Sequence, residues 1–372
     1  DARQKQAASG SGPGVWVVVL AASAMLLAEL GTGFLLPDEC ETVMQSLAVL
    51  EHGIPKVDRD GSRLIPFVFE WVNENGIWKH TPWIDEYVAA GSIGALGRSR
   101  WASRLPFALI SIGAIVFYWY LARQILTPDA AWMSLLLYAF SATLIGQGRM
   151  CRYYSILQVG GMLFVLGVHQ FSLHRYRLGT ICLLVAHTVL FYANYIPAIV
   201  NGTTFALYVL LLGRSNRALW KSLAVYLVGS VLIVLPWAVF VKFELFGKLE
   251  KMSYYSAVSV QSGPQFEISQ IIATSQSYLS AFDASLFPLL IATPCFLVIW
   301  LRRHSIWDYV VDRSVIVFGI FVCLMAVIMC GFLPVFAERY ILCYLVNTRL
   351  FLAATIAATG KRLRWFFFWL VI

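Results

Sequence analysis

Charge is scarce in this chain. Asp, Glu, Lys and Arg make up only 13% of its 372 residues, against about a quarter in a soluble domain, while hydrophobic residues make up 59%. A soluble fold has no means of hiding that much apolar surface. Histidine is scarcer still, at six residues, and the seven cysteines fall at no metal-ligand spacing. Most cysteines sit inside apolar runs, where a thiol packs as a small hydrophobe. Cys40 and Cys151 alone fall in segments expected to be exposed, where an oxidising compartment could pair them. Internal repeats and low-complexity tracts are lacking, and mid-span charge is confined mainly to Glu29 and His187. Both absences weigh against a transporter or lipid flippase, the alternative class for so apolar a chain.

What the sequence has is long apolar runs. They recur at about 18 to 25 residues, enough to cross a hydrocarbon core of roughly 30 Å as a helix, and lipid offers the backbone no partners outside a helix. The expected fold class is an all-α polytopic transmembrane bundle of about eleven helices. Its spans lie near 15–36, 105–126, 130–147, 155–171, 179–196, 198–212, 222–242, 285–301, 314–334, 340–358 and 365–372. The last run stops at Ile372 inside apolar sequence, which predicts a further C-terminal part. Basic residues gather on alternate connections: Arg3 and Lys5; Arg123; Arg175 and Arg177; Arg214, Arg217 and Lys221; Arg302, Arg303 and Arg313; Lys361, Arg362 and Arg364. The positive-inside rule then makes 1–14 a cytoplasmic tail and sends the long connections 37–104 and 243–284 to the extracytoplasmic side. The net charge of +8 follows from those clusters facing anionic headgroups and implies no nucleic-acid partner.

In the first long connection, Thr42, Val43, Met44, Leu47, Val49 and Leu50 keep a helical rhythm, as do Trp83, Ile84, Tyr87, Val88 and Leu96. Two amphipathic helices on the membrane surface are expected there, joined by a turn-rich 51–79. The second, with Tyr254 and Tyr255, carries no legible motif and suits a lid or acceptor platform.

Three clusters could carry chemistry. Asp38, Glu39 and Glu41 follow Pro37 where the first span ends. Asp38 can cap the next helix with Glu41 completing a capping box, or serve as a general base toward an acceptor hydroxyl. Lys79 and His80 precede Thr81-Pro82-Trp83 and Asp85-Glu86; His80 could contact a phosphate or metal, or be a plain surface residue. Arg149, Arg152, Tyr153 and Tyr154 fall on the extracytoplasmic side, against the positive-inside preference. They suit a phosphate clamp as well as they suit snorkelling cations in an aromatic belt. Glu338-Arg339-Tyr340 repeats that arrangement between later spans. The sequon at Asn201 lies in an apolar run and is discarded.

With these residues in order, the chain resembles the polytopic glycosyltransferases of the GT-C superfamily, in the branch of protein O-mannosyltransferases and lipid A aminoarabinose transferases. The likeness rests on the acidic pair Asp38-Glu39, on His80-Thr81-Pro82-Trp83 in place of a His-Pro-Pro-Leu motif, and on a Gly-x-x-x-x-Ala-x-Arg-Leu-Pro pattern from Gly97 to Pro106, with Ala102, Arg104 and Leu105, entering the second span. Arg152-Tyr153-Tyr154 after the third completes it. It implies a catalytic domain over 15–372 and an inverting transfer of sugar from a polyprenyl-phosphate donor to a hydroxyl of a protein, lipid or polysaccharide, on the extracytoplasmic face. Asp38 would be the base and Glu39 its helper. Arg149, Arg152, Tyr154, Arg339 and Tyr340 would bind the donor phosphate, and His80, Lys79 and Glu41 would touch substrate or metal. No cofactor is required, although a divalent metal fits the chemistry. A non-catalytic scaffold instead predicts that Asp38, Arg152 and Arg339 do not converge.

Overall fold

The structure, a computed structural model, describes residues 13–56, 72–73, 75–79, 81–213, 216–241, 305–332 and 342–359. All regular structure there is helical, save isolated bridges. The α-helices are α1 (Pro13–Leu27), α2 (Pro37–His52), α3 (Ile84–Leu96), α4 (Arg100–Ile125), α5 (Pro128–Ala139) and α6 (Ala142–Gly148). They continue as α7 (Tyr154–Ser172), α8 (Tyr176–Ala193), α9 (Tyr195–Leu212), α10 (Arg217–Phe240), α11 (Arg313–Phe332) and α12 (Leu342–Ala358), with a 3₁₀ turn over Ile306–Tyr309. Four of them, α4, α7, α8 and α10, are long and apolar enough to cross a membrane, and α5 with α6 makes a fifth bent by 51°. The chain is therefore a polytopic all-α membrane bundle. The continuous span expected over 130–147 is instead this bent pair, and the span at 15–36 is helical only to Leu27. The spans expected at 285–301 and 365–372 lie outside the described residues, as does 243–284.

Ser99 caps α4 by accepting from the Ala102 N–H, Asn194 caps α9 by accepting from Ile196, and Asn216 caps α10 through Ala218 and Leu219. Each cap satisfies donors that lipid would leave bare. Helix α7 is the centre: 78% of its apolar window is buried, against 17% for α10, whose Val228, Val231 and Leu232 face outward. Helices α7 and α8 approach closely, and a Cβ on Gly167 would meet the Gly179 carbonyl oxygen at 3.1 Å. Only small residues allow such contact between spans.

One end of the bundle carries α2 and α3; the other gathers Arg123, Arg175, Arg177, Arg217, Lys221 and Arg313 at helix termini. At that second end, the segment before α11 is tied on by Val311 N–H to the Ile125 carbonyl (2.8 Å) and by Asp312 Oδ2 to His169 Nδ1 (2.6 Å). Helices α2 and α3 pack on each other at the first end. Trp83, just ahead of α3, meets Trp237 and Phe240 of α10 edge-on at 5.4 and 5.1 Å. Thr81 and Trp83, the two departures from the family motif, both hold this corner. Thr81 accepts the Trp78 indole N–H at 3.1 Å, and the Trp83 indole donates to the Trp78 carbonyl at 3.0 Å.

Candidate active site

The site begins with the turn between α1 and α2. Pro37 takes the first helical position of α2, which makes Leu36 the cap and Glu39 the third residue, so Glu39 Oε2 accepts from the Leu36 N–H at 3.0 Å. The capping pair expected from Asp38 and Glu41 is thus displaced by two positions. Glu39 is completely buried. Arg104, one turn into α4, grips it with both arms: Nε to Oε1 and Nη2 to Oε2, each 2.7 Å. The same guanidinium donates to the carbonyls of Leu30, Thr32 and Phe34 at 3.2, 3.0 and 3.0 Å. Glu39 Oε1 also accepts from the Cys151 N–H at 2.9 Å. One ion pair therefore fastens the turn after α1, the start of α2, the start of α4 and the segment before α7. Burial pushes the Glu39 carboxyl up, but Arg104 and the Cys151 and Leu36 N–H groups outweigh it and hold it below the usual range.

Fixing Cys151 places its neighbour. Arg152 is buried and donates from Nη1 to Thr42 Oγ1 at 2.8 Å and to the Asp38 carbonyl oxygen at 3.2 Å, and from Nη2 to Glu41 Oε2 at 3.4 Å. Its guanidinium lies over the Tyr153 ring at 5.1 Å. Tyr154, the first residue of α7, donates its hydroxyl to Asp38 Oδ2 at 3.4 Å. Asp38 itself is half-buried, so the acidic trio divides by role of position: Glu39 inward, Asp38 at the opening, Glu41 on the wall with Arg152. Two further acids, Asp85 and Glu86, are buried in the first turn of α3 beneath α2. Thr42 Oγ1 lies 3.4 Å from Asp85 Oδ2 and so connects Arg152 to that pair. Burial raises the Asp85 and Glu41 carboxyls while Arg152 pulls both down. Burial and then the charge of Asp85 push Glu86 well above the ordinary carboxylate range.

The structure brings Asp38, Glu39, Glu41, Arg152 and Tyr154 together. Arg149 is turned elsewhere: it donates to the Met25 carbonyl at 3.5 Å and to that of Ala28, closing the end of α1. Lys79 is half-buried ahead of α3. His80, Arg339 and Tyr340 lie outside the described residues, so convergence is tested here only for Asp38 and Arg152, which touch. Cys151 is buried rather than exposed, and neither it nor Cys40 forms a disulfide. Glu29 is exposed beyond the end of α1 at φ +50°, not in mid-span. A buried cation does occupy an apolar helix: Arg349 of α12 donates to Ser141 Oγ at 3.1 Å, at the break between α5 and α6. Sequence reasoning assigned no role to Arg104, Asp85, Glu86 or Arg349. An arginine inside an apolar run is itself a signal, since such a charge in a helix demands a partner. As for a divalent metal, among the described residues no three His, Cys, Asp or Glu side chains converge to hold one. No reaction step is assigned to a metal.

No protein-family model and no curated protein matches the sequence. Solved structures do. The chain is similar to ArnT from Cupriavidus metallidurans in the apo state, with TM-score 0.62 and 14% identity over 93% of this chain and 60% of that one. The same protein bound to undecaprenyl phosphate matches with TM-score 0.60 and 15% identity over the same shares. The archaeal oligosaccharyltransferase AglB from Archaeoglobus fulgidus, in complex with an inhibitory peptide and a dolichol-phosphate, matches with TM-score 0.51 and 11% identity over 92% of this chain and 50% of that one. The chain thus spans half to three-fifths of these neighbours' lengths. At this level of identity the likeness is one of architecture alone: the chain shares the fold of these ArnT and AglB structures.

Proposed function

We propose that this chain is an integral membrane glycosyltransferase that moves a sugar from a polyprenyl-phosphate donor to an acceptor hydroxyl on the extracytoplasmic face, with inversion at the anomeric carbon. The observation that carries this reading is the contact between a half-exposed carboxylate residue and a buried arginine: Arg152 Nη1 reaches the Asp38 carbonyl oxygen at 3.2 Å. Base and cation are therefore within one sugar phosphate of each other, roughly 10 Å, as a single transfer requires. Two structural neighbours carry undecaprenyl phosphate and dolichol-phosphate, which supports a lipid-phosphate partner for this chain as well. The basic helix ends at the far side of the bundle support the orientation, with the N-terminus cytoplasmic and the site outside.

In this mechanism Asp38 takes the proton of the acceptor hydroxyl as its oxygen attacks the anomeric carbon, and the Tyr154 hydroxyl orients the carboxylate. The lipid phosphate gains negative charge as the glycosidic bond breaks, and Arg152 stabilises that charge more in the transition state than in the ground state. Phosphate leaves readily at neutral pH, so no acid is needed to protonate it, in contrast to glycoside hydrolysis. Glu39 and Arg104 act as positioning residues, because Glu39's oxygens are committed to four donors. Arg149 positions the turn at the end of α1. Arg339 and Tyr340 are proposed as further phosphate contacts, and Lys79 and His80 as substrate contacts, on the resemblance alone. The acceptor is a hydroxyl of protein, lipid or polysaccharide.

The test is Asp38→Asn, reconstituted in bilayers and given a labelled polyprenyl-phosphate sugar. Loss of a general base lowers turnover by about 10²–10⁴-fold. Undiminished transfer would remove Asp38 from the mechanism.

A further inference from the structure

The buried pair Asp85–Glu86 is not used by the mechanism above, and among the described residues the charge count around it is unbalanced. Arg104 is matched by Glu39, which leaves Arg152 facing Glu41 of α2 and both Asp85 and Glu86 of α3. Three carboxyls thus surround one guanidinium. Asp85 and Glu86 are each 1% exposed, and Asp85 Oδ1, Glu86 Oε2, Glu41 Oε1 and Arg152 Nε find no hydrogen-bond partner among the described residues. An uncompensated carboxylate in such surroundings costs several kcal/mol, so the group must hold protons. Glu86 holds the first, because burial and the neighbouring Asp85 both favour its neutral form. With Glu86 neutral, Asp85 is the carboxyl of the pair left to carry charge: it is hydrogen-bonded to Glu86, joined through Thr42 to Arg152 and faces Glu41 and the Cys151 thiol. Its charge is sustained by Arg152, the foremost influence opposing its burial.

We propose that Asp85 is a positioning residue coupled to substrate through Arg152: when a phosphate headgroup docks on Arg152, Asp85 takes up one proton from solvent, so headgroup binding and proton uptake are one event. This rests on the reading that Arg152 binds the donor phosphate. The physical cause is a change of company. A phosphate shares the guanidinium that had stabilised Asp85, and it also brings like charge to the cluster; both favour the neutral acid. Glu41, whose side chain is 18% exposed, is the least buried of the three carboxyls and offers the proton a route. The donor's phosphodiester carries one negative charge, whereas the lipid phosphate left after transfer carries up to two. The product therefore draws the proton more strongly, and its release quickens as pH rises.

The experiment uses the whole chain in detergent, with undecaprenyl phosphate as the probe, between pH 7 and 9. Binding linked to one proton weakens up to tenfold per pH unit, and Asp85→Asn, neutral at every pH, stays within about twofold across the range. The lipid phosphate's own second ionisation, near pH 6, runs in the opposite direction and is common to both proteins. Calorimetry of the unsubstituted protein in two buffers of different ionisation enthalpy counts the proton directly, whether or not the variant folds. An uptake near one proton per lipid, abolished in Asp85→Asn, is the expected result. Binding with no uptake overturns the inference and leaves Arg152's role intact. Uptake that persists in a folded Asp85→Asn overturns it too, because another group then holds the proton. If the lipid phosphate does not bind at all, the failure belongs to the proposed function.

Discussion

Removing Glu39 tests the frame on which the site is built. Glu39→Ala deletes two 2.7 Å hydrogen bonds from Arg104 and one each from the Cys151 and Leu36 N–H groups. Arg104 retains carbonyl partners in the 30–34 turn, but its charge loses its counter-ion, and the Cys151 N–H is left buried and unpaired. Breaking a buried ion pair from one side costs about 3–5 kcal/mol, because the remaining charge is uncompensated. At roughly 2 °C per kcal/mol for a chain of this size, thermal unfolding in detergent should begin some 5–10 °C lower. The double variant Glu39→Leu with Arg104→Met discriminates this from a simple loss of packing. Replacing both partners removes the orphaned charge, so the double variant should be more stable than Glu39→Ala, with a non-additive coupling of about 2 kcal/mol or more. If Glu39→Ala melts within a degree of the unsubstituted protein, or if the effects of the two sites simply add, the ion pair does not hold the four segments together.

Two further outcomes follow from burial and close packing. Burial raises the Glu86 and Asp85 carboxyls above the ordinary carboxylate range, so their contribution to stability is complete below about pH 4 and declines as pH rises towards their folded values. Glu86→Gln should flatten that decline in a melting series from pH 5 to 8; an unchanged slope would place the titration elsewhere. At the α7–α8 contact, a Cβ on Gly179 would stand 2.9 Å from the Gly167 carbonyl oxygen and 2.6 Å from the Phe171 ring, so Gly179→Ala should destabilise by about 1–3 kcal/mol. Gly91, in α3, has open space around it, and Gly91→Ala should leave stability unchanged or raise it by up to about 1 kcal/mol. Equal effects at both glycines, read from the same melting assay, would refute the packing argument.

Run length made the membrane helices and their order legible, because lipid imposes one solution on the backbone, and helical rhythm made α2 and α3 legible for the same reason that any amphipathic face is. The failures are equally physical. The bend between α5 and α6 has no proline or glycine at Phe140–Ser141 to announce it, and the partner at Ser141 is Arg349, more than two hundred positions away. The capping frame slipped because a proline at the first helical position moves the reach-back carboxylate from Glu41 to Glu39. Spacing alone also could not say which acid of an adjacent pair points inward, since each step turns a helix by about 100°.

That single step decides the chemistry at this site. Asp38 and Glu39 are neighbours in sequence with opposite environments, one half-exposed beside Arg152 and Tyr154, the other sealed against Arg104. A base must be free to gain a proton, which Glu39 is not: its charge is held by four donors and its affinity for protons is lowered by them. In the proposed mechanism the inward acid is therefore assigned to positioning and the outward one to proton transfer. It fixes the Cys151 N–H, and through the next residue it fixes Arg152. The arginine entering the second span, first noticed only as part of a motif, thus helps to hold Arg152, the proposed phosphate-binding cation, without touching it. Misplacing a reacting group by about 1 Å costs on the order of 10²-fold in rate, so in the proposed mechanism Arg104 and Glu39 act on transfer through geometry.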